Sequence, residues 1–402
     1  MSPEYPARLY EQRFDVAFDY PVYFTRGVFE PGNPLLVSVL DRKGGPVPHK
    51  VQVYVDTGAA DAQPGLLAKI EAYFGRHAGK IALPAPPHLL DGGESAKLGW
   101  GEVRKIMTTL GDSHMCRQSC VMAVGGGGLL DMVGFACALV HRGLRLVRLP
   151  TTVLGQNDAG VGVKNGMNER ETKNFIGTFA PPFAVVNDYD FLDTLPPREW
   201  TGGIAEAFKV AVIKDAEFLD FLCRRAGDLV GRDRAAMEEL VYRCAVLHLQ
   251  HIARSGDPFE FGSSRPLDFG HWSAHKLETL SGFTLGHGQA VAVGVALDVC
   301  YAAEKAFLPR AEAVRILRGM MAACLPVWSP LLLQKDAAGR LEIRHGLEQF
   351  REHLGGALTL AMPDGPGRQQ EIHELDWVAL ERGLGFLEAF QRDHAKPGIR
   401  EG

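Results

Sequence analysis

The chain has 402 residues, a length that favours two to three domains. A hydrophobic content of 46% with 23% charged residues is ordinary for a globular protein, and the net charge of -5 argues against general binding to nucleic acid or membrane surfaces. Seven scattered cysteines without a C-x-x-C pair favour free thiols in a reducing compartment. Without an apolar leader or a long apolar run, the chain is predicted to be soluble and cytoplasmic.

The first part of the chain predicts alternating strands and helices. Strands are predicted at Val22–Phe24, Gly27–Phe29, Val51–Val55, Ile81–Leu83, Cys120–Val124 and Arg145–Leu149. Helices are predicted at 35–40, 64–77, 96–111 and 129–140. This alternation favours an α/β region with a largely parallel sheet. Residues 151–187, rich in Gly, Asn, Thr and Pro, predict a long functional loop with only brief strand-like pieces.

The second part predicts a mostly helical domain. Helices are predicted at 198–214, 216–226, 234–253, 271–281, 288–306, 309–324 and 376–392, and the one strand candidate is Leu358–Ala361. We therefore predict two domains, 1–190 and 191–402.

A glycine-rich turn follows the strand at Cys120–Val124. Gly125–Gly128 lead directly into a helix, an arrangement that lets a backbone approach a pyrophosphate at a helix N-terminus. The run is not a full G-x-G-x-x-G motif, because the third glycine position is Leu130, and a plain tight turn explains it equally well. Asp131 could contact a ribose hydroxyl or complement the helix dipole.

Three histidines lie close together between residues 267 and 294. His271 and His275 share one helix face at a spacing of four, and His287 precedes an apolar helix. Glu206 lies in an otherwise apolar helix and needs a partner if it is buried. Glu206, His271 and His287 together would suit a zinc or cobalt site with open positions. The alternatives are histidines bonded to backbone or water, and a Glu206–Lys209 salt bridge.

Cationic and amide side chains are spread over the loop-rich segment and its flanks, at Arg142, Lys164, Lys173, Asn174 and Lys209. Lysines between glycines and asparagines, away from an amphipathic face, favour oxyanion binding. Ordinary exposed loop lysines are the alternative. Asp158 could accept hydrogen bonds from substrate hydroxyls or cap a turn.

Successive segments of the chain resemble the motifs of 3-dehydroquinate synthase and its sugar phosphate cyclase relatives. The segments are GGGGLLDMVGFACALVHRG, RLPTTVLGQNDAGVGVKNGMN, KNFIGTFAPP, FLDTLP, AEAFK, DFGHWSAHKLE and HGQAVAVG. The resemblance covers about Asp56 to Gly294. It implies an α/β, Rossmann-like NAD-binding N-terminal domain, an all-α metal-binding C-terminal domain, a homodimer, and NAD with Zn²⁺ or Co²⁺ as cofactors.

Matching the motifs residue by residue implies roles in the site. The implied metal ligands are Glu206, His271 and His287. The implied cofactor-binding residues are Asp56, Glu94, Lys97, Gly126, Gly127, Asp131, Thr151, Thr152, Thr194 and Leu195, with Lys173 between cofactor and substrate. The implied catalytic and substrate-binding residues are Asp158, Lys164, Asn174, Lys209 and His275. Arg142 resembles a phosphate-binding arginine that reaches into the partner subunit's site.

The chain departs from the synthase pattern where that enzyme binds its substrate's carboxylate. Counting back from His271, the carboxylate-binding positions are Gln250, Ser264 and Asp268, and Asp268 would repel a carboxylate. Arg265, one residue away, could substitute. A sugar without a carboxylate, sedoheptulose 7-phosphate, fits better.

The segment DFGHW resembles the relatives that cyclise sedoheptulose 7-phosphate. The 2-epi-5-epi-valiolone synthases commonly lose the histidine that His275 preserves. The chain therefore resembles most the 2-epi-valiolone synthase branch with its EboD-type cyclases. Glu278, in the same stretch, is interpreted as structural.

The resemblance implies a phosphate-eliminating carbon–oxygen lyase. NAD is reduced and regenerated, phosphate leaves, and an intramolecular aldol step closes a C7 cyclitol of the 2-epi-valiolone type. A 2-epi-5-epi-valiolone synthase and a 3-dehydroquinate synthase are alternatives. A metal-dependent polyol dehydrogenase is another, but it needs no phosphate-binding cations. A non-catalytic relative would have lost Glu206, His271 or His287, and all three are present.

Overall fold

The computed structural model describes residues 8–169, 172–262 and 264–394. The strands, in chain order, are β1 (Val22–Thr25), β2 (His49–Asp56), β3 (Ile81–Ala82), β4 (His88–Leu90), β5 (Cys120–Gly125), β6 (Arg145–Pro150), β7 (Lys164–Glu169), β8 (Thr172–Phe179), β9 (Ala184–Asp188), β10 (Leu360–Pro363) and β11 (Gln369–Ile372). The α-helices are α1 (Leu35–Asp41), α2 (Thr57–Ala62), α3 (Leu66–Arg76), α4 (Gly101–Asp112), α5 (Gly127–Leu139), α6 (Pro197–Lys214), α7 (Ala216–Val230), α8 (Arg234–Arg254), α9 (His271–Leu280), α10 (His287–Glu304), α11 (Arg310–Ala322), α12 (Ile343–His353) and α13 (Trp377–His394).

A 7-stranded parallel sheet forms the first region, in the order β1-β9-β6-β5-β2-β3, with β4 also paired to β2. Its central strands are buried on both faces, which explains their continuous runs of β-branched and apolar residues. The carboxyl ends of β2, β5 and β6 meet at one edge, since Val55 pairs with Val124 and Gly125 with Pro150. In open α/β sheets, this edge is where ligands bind.

The second region packs its helices around α10. This helix is apolar on all sides and almost fully buried, as expected of a central core helix. It contacts α6, α9, α11 and α13. None of the helices in the described ranges combines the length and apolar character needed to cross a membrane.

The structure confirms most of the predicted elements and corrects two. The predicted strand at Gly27–Phe29 is a turn, because the N–H groups of Gly27 and Val28 donate to Asp188 at 3.2 and 2.7 Å instead of to a strand. Within 151–187 the chain forms the antiparallel hairpin β7–β8 and sheet strand β9.

The second region is mostly helical, as predicted, and the strand candidate Leu358–Ala361 overlaps β10. Strand β10 pairs with β11 in an antiparallel hairpin, and β11 and α12 were not predicted. The predicted division near residue 190 falls in the connection between β9 and α6. As a domain boundary it stays a prediction. A cavity of about 920 Å³ lies between the sheet edge and the helices.

Candidate active site

The glycine turn forms one wall of this cavity. Gly126 precedes α5, whose first N–H groups have no acceptor within the helix. A Cβ on Gly128 would lie 2.5 Å from the carbonyl oxygen of Gly93, so only glycine permits these two loops to approach. Asp56 lines the same space and accepts from the N–H of Gly58 at 2.8 Å. The glycines at 126–128 therefore leave backbone N–H groups open at the start of α5, an arrangement that fits a pyrophosphate group. We call this backbone surface the glycine cradle.

All the residues assigned to the cofactor from the sequence line this cavity. They are Asp56, Glu94, Lys97, Gly126, Gly127, Asp131, Thr151, Thr152, Lys173, Thr194 and Leu195. The ammonium of buried Lys97 donates to Asp131 at 2.7 Å and to Asn174 at 2.5 Å. Lys97 thus joins a predicted cofactor residue to a predicted substrate residue.

Glu206, His271 and His287 converge in the helical wall. One ligand atom of each lies within 4.8 Å of the others. The Oε1 atom of Glu206 is 3.7 Å from Nε2 of His271 and 3.5 Å from Nε2 of His287. Glu206 is fully buried in α6, and the histidines begin α9 and α10. The rival salt bridge is also present, because the ammonium of Lys209 lies 2.5 Å from the other oxygen, Oε2.

The hydrogen bonds of this group leave three atoms suited to a cation. The Nδ1 atom of His271 lies 3.2 Å from the carbonyl oxygen of Phe269, so the neutral ring donates there and keeps a lone pair on Nε2. The Nδ1 atom of His287 lies 3.1 Å from Glu278. Oε1 of Glu206 is buried without a hydrogen-bond donor in the described part of the chain. One carboxylate and two imidazoles fit Zn²⁺ or Co²⁺.

The charge on His287 supports the same interpretation. Burial and Lys173 oppose the imidazolium, but Glu278 and Glu206 outweigh them and raise the pKa of His287 to about 9. A divalent cation would compete with the proton of His287, since metal ligands must be deprotonated.

Lys209 lies between two carboxylates on the cavity wall. Its ammonium is 3.7 Å from Asp158, and Nδ1 of His248 is 2.8 Å from the same oxygen of Asp158. Burial disfavours the charge of Lys209, but Asp158 and Glu206 raise its pKa above the ordinary value. Burial likewise opposes ionised Asp158, whereas Lys209 and His248 lower its pKa. A continuous series of contacts therefore runs from Glu206 through Lys209 and Asp158 to His248.

Glu278, interpreted as structural from the sequence, contacts two residues that line the cavity, Lys173 and His287. It is 2% exposed, and its Oε1 accepts from the ammonium of Lys173 at 3.0 Å. With His275 and His287 it forms a second group of possible metal ligands. The group around Glu206 is the better candidate, because Glu278 already binds Lys173, whereas Oε1 of Glu206 accepts nothing.

His275 faces the cavity beside both histidine ligands. Its ring centroid lies 5.4 Å from that of His271 and 6.0 Å from that of His287. Burial, followed by the charges of His271 and Lys173, lowers the pKa of His275 well below its usual value. A neutral imidazole in this position can accept a proton.

The outer part of the cavity holds a cluster of opposite charges, Lys164, Glu260 and Arg265. Oε2 of Glu260 is 2.7 Å from the ammonium of Lys164 and 3.5 Å from Nε of Arg265. We call these three residues the outer cluster. Asp268 lines the same cavity and interacts electrostatically with Lys164 of this cluster and with His271. Burial opposes the charge of Asp268, but Lys164 and His271 lower its pKa, and the carboxylate is ionised.

The counted carboxylate-binding positions need correction. Gln250 and Ser264 are exposed and do not line the cavity, whereas their neighbours His251 and Arg265 do. A cation is therefore present in this wall, the alternative that the sequence analysis left open for Arg265. The carboxylates of Asp268 and Glu260 line the same cavity.

Arg142 does not line the main cavity. It lies exposed in a separate depression of about 460 Å³ that also contains other cations, namely Arg42, Lys43, Arg117 and Arg145. The backbone of Arg142 has a φ of +62°, which turns the chain sharply after α5. A role at a phosphate would require a second subunit, so this assignment stays a prediction.

Four residues of the site were not predicted: Arg148, His248, Glu260 and Glu278. Arg148 is 1% exposed, and its guanidinium donates to the carbonyl oxygens of Gly160, Gly162 and Lys164 at 3.2, 2.7 and 3.1 Å. It holds the loop that presents Lys164. A charged residue inside the apolar strand RLVRL was the available signal. The sequence also contained a signal for Glu278, because this residue lies one helical turn after His275.

Comparison with known proteins defines the class. The 3-dehydroquinate synthase N-terminal family model matches residues 88–202, and the C-terminal model matches residues 203–342. The 2-epi-5-epi-valiolone synthase of Streptomyces glaucescens is 32% identical, over 93% of this chain and 92% of its own. The 2-epi-valiolone synthase of Actinosynnema mirum is 31% identical, over 77% of this chain and 78% of its own.

A solved structure agrees with these relatives. The 2-epi-5-epi-valiolone synthase ValA from Streptomyces hygroscopicus subsp. jinggangensis 5008, which holds NAD⁺ and Zn²⁺, superposes with a TM-score of 0.83 at 28% identity, covering 94% of this chain and 99% of that one. The fold is therefore that of the 3-dehydroquinate synthases, as the sequence predicted. The chain belongs to the 3-dehydroquinate synthase family and is an enzyme, a sugar phosphate cyclase of that family.

Proposed function

We propose that the enzyme uses NAD and a divalent metal to convert sedoheptulose 7-phosphate into a C7 cyclitol of the 2-epi-valiolone type. Inorganic phosphate is the second product. The observation that carries the choice of substrate is the ionised carboxylate of Asp268 on the cavity wall, which interacts with Lys164 and His271.

Different walls of the cavity would bind the dinucleotide and the metal. The glycine cradle with Asp56, Lys97 and Asp131 would hold NAD, which supplies a reversible hydride acceptor when bound. Glu206, His271 and His287 would hold Zn²⁺ or Co²⁺, which supplies a Lewis acid for a substrate oxygen when bound. These assignments are supported by the unpaired Oε1 of Glu206 and by the close approach of Gly128 to Gly93.

The phosphate would bind near Lys164 and Asn174. Lys164 has an exposed side chain and is paired with Glu260, so an incoming phosphate must exchange places with that carboxylate. Two phosphate charges outweigh one carboxylate charge for the same ammonium. Arg142 would join this site from a second subunit of a homodimer, since it lies outside the cavity of its own chain.

Proton transfer is assigned to side chains that differ in charge. Neutral His275 would accept a proton from the substrate close to the metal-binding group. Lys209, kept charged by Asp158 and Glu206, would donate a hydrogen bond to a substrate oxygen at the same depth. Asp158, oriented by His248, would accept from a substrate hydroxyl.

Substrate choice follows from the two carboxylates of the cavity wall, Asp268 and Glu260. A substrate carboxylate would face ionised Asp268, and Glu260 already neutralises Arg265, the nearby cation. Hydroxyl groups can instead donate to both acids. Retention of His275 supports the 2-epi-valiolone branch over its 2-epi-5-epi relatives.

The test is phosphate release with defined substrates. Purified full-length protein is given NAD and Zn²⁺ or Co²⁺, with sedoheptulose 7-phosphate or the carboxylated substrate of 3-dehydroquinate synthase. We expect phosphate release and a carbocyclic product, identified by NMR, with sedoheptulose 7-phosphate. Release from the carboxylated substrate alone would overturn the substrate assignment. Accumulation of NADH with an unphosphorylated polyol would indicate a dehydrogenase instead.

A further inference from the structure

Glu278 connects the metal-binding group to the opposite wall of the cavity. Its Oε2 lies 3.1 Å from Nδ1 of His287, and its Oε1 accepts from Lys173 at 3.0 Å. Lys173 belongs to β8 of the α/β region, whereas Glu278 and His287 belong to helices α9 and α10. The connection therefore joins the two regions beside the cavity.

The connection continues from Lys173 to the predicted cofactor site. The ammonium of Lys173 is 3.6 Å from Oε1 of Glu94, and Oε2 of Glu94 accepts from the side chain of Asn168 at 3.0 Å. The Lys173 side chain is 12% exposed, and that of Glu278 is 3% exposed. Because water does not solvate these two charged groups well, their stability depends strongly on the opposite charges beside them.

We propose that Glu278 is a positioning residue that couples metal binding at His287 to dinucleotide binding at the Glu94 and Lys173 wall. The inference rests on the proposed function, which assigns both ligands to this cavity. A metal on Nε2 of His287 polarises the ring and strengthens the bond from Nδ1 to Glu278. Glu278 then fixes Lys173, and Lys173 fixes Glu94. Because coupling is reciprocal, bound NAD tightens the metal by the same factor.

The experiment compares metal affinity with and without NAD⁺. Competition between the full-length protein and a chelator gives the dissociation constant for Zn²⁺, and the visible spectrum of Co²⁺ reports the ligand set. In the unaltered protein we expect NAD⁺ to tighten the metal by about 5- to 150-fold, the usual range for coupled sites. Glu278→Gln should weaken the metal by about 10- to 100-fold and remove most of the NAD⁺ effect.

Three further variants separate the roles. Glu206→Gln should abolish metal binding, because it removes a ligand. Lys173→Met should remove the coupling, and metal affinity without NAD⁺ should not fall, because the ammonium 3.3 Å from Nδ1 of His287 repels a cation on that ring. Glu342→Gln is the matched control, since Glu342 pairs with Lys276 of the same helix α9 at 2.9 Å and does not line the cavity. It should retain both affinity and coupling.

The outcomes distinguish this inference from the proposed function. If the unaltered protein binds neither metal nor NAD⁺, the proposed function fails. If it binds both and Glu278→Gln retains normal affinity and coupling, Glu278 is not a positioning residue. Loss of metal with Glu278→Gln but not with Glu206→Gln would make Glu278 a ligand and overturn the inference. If Glu278→Gln does not fold, Lys173→Met decides whether the coupling passes along this path.

Discussion

The two charged clusters of the cavity are built in opposite ways. In the inner cluster, Lys209 and Glu206 have side chains 2% and 0% exposed and an ion-pair distance of 2.5 Å. In the outer cluster, the Lys164 side chain is 53% exposed, whereas those of Glu260 and Arg265 are 15% and 11% exposed, and the distance from Lys164 to Glu260 is a similar 2.7 Å. Similar distances therefore go with different electrostatics, because water reaches the cation of the outer pair and neither member of the inner pair.

The difference indicates what each cluster does when ligands arrive. The inner charges are desolvated during folding and are already in place for a metal and a substrate oxygen. In the outer cluster, Lys164 keeps its access to water and can exchange Glu260 for a phosphate. Substitutions in the inner cluster should thus affect folding and catalysis together, whereas those in the outer cluster should affect binding alone.

The largest effect is expected for Lys209→Met. Its removal leaves Glu206 and Asp158 without their shared cation, which should lower the free energy of unfolding of the metal-free protein by about 3–5 kcal/mol. Phosphate release should fall by about 100- to 10,000-fold. Urea denaturation and the phosphate assay measure the two effects.

A matched control sharpens this result. Lys43→Met removes an exposed lysine that pairs with Asp19 at 3.0 Å, and should change the unfolding free energy by about 0–1 kcal/mol. Added Zn²⁺ should restore part of the stability of the Lys209→Met protein, because a cation would again neutralise Glu206. Equal losses in the two variants would contradict the distinction between the clusters.

A smaller effect is expected for Glu260→Gln in the outer cluster. It removes the carboxylate that competes with phosphate for Lys164, so KM for the phosphorylated sugar should fall by about 2- to 5-fold with little change in kcat, as for an exposed ion pair. The effect should shrink in high salt. Glu312→Gln, which removes an ion pair with Arg315 at 2.8 Å on α11, is the control. A large loss of kcat would place Glu260 in the chemistry instead.

The smallest effect concerns pH and His251, which lines the cavity near the outer cluster. Burial, Lys214 and His248 lower the pKa of His251 from 6.5 to about 4. The unfolded chain therefore binds this proton first, and stability contributed by neutral His251 is lost as the pH falls from 6.5 towards 4. His251→Gln should remove about 1–3 kcal/mol of the stability difference between pH 7.5 and 4.5.

The control for this measurement is His373→Gln, because His373 is exposed on the outside of the helical region. It should leave the pH dependence measured by urea denaturation unchanged. If His251→Gln has the same pH dependence as the unaltered protein, the ring is not held neutral by burial.

The local sequence pattern was sufficient to predict most of the helices and strands. Buried strands such as Cys120–Gly125 and helices such as Pro197–Lys214 can be recognised from the spacing of apolar residues within a few turns or strand residues. The hairpin β7–β8 escaped detection, because its strands face the cavity with glycines and polar residues instead of an apolar alternation.

The carboxylate-binding positions show how a small error changes a functional argument. Neighbouring residues on a helix point about 100° apart. Gln250 on α8 is consequently exposed, while His251 lines the cavity. Counting residues through the intervening loop could not decide between them, and the same uncertainty applied to Ser264 and Arg265.

The amino-acid sequence by itself determined the family, the two-region architecture, the glycine cradle, and the convergence of Glu206, His271 and His287. These depend on local periodicity and on motifs kept in order along the chain. Only the tertiary structure decided the pairing of Lys173 with Glu278 and of Asp158 with His248. The residues of these pairs are 105 and 90 positions apart, and their contact depends on how the sheet and helices pack. It also decided the different solvent exposure of the two charged clusters, because burial is a property of the packed molecule.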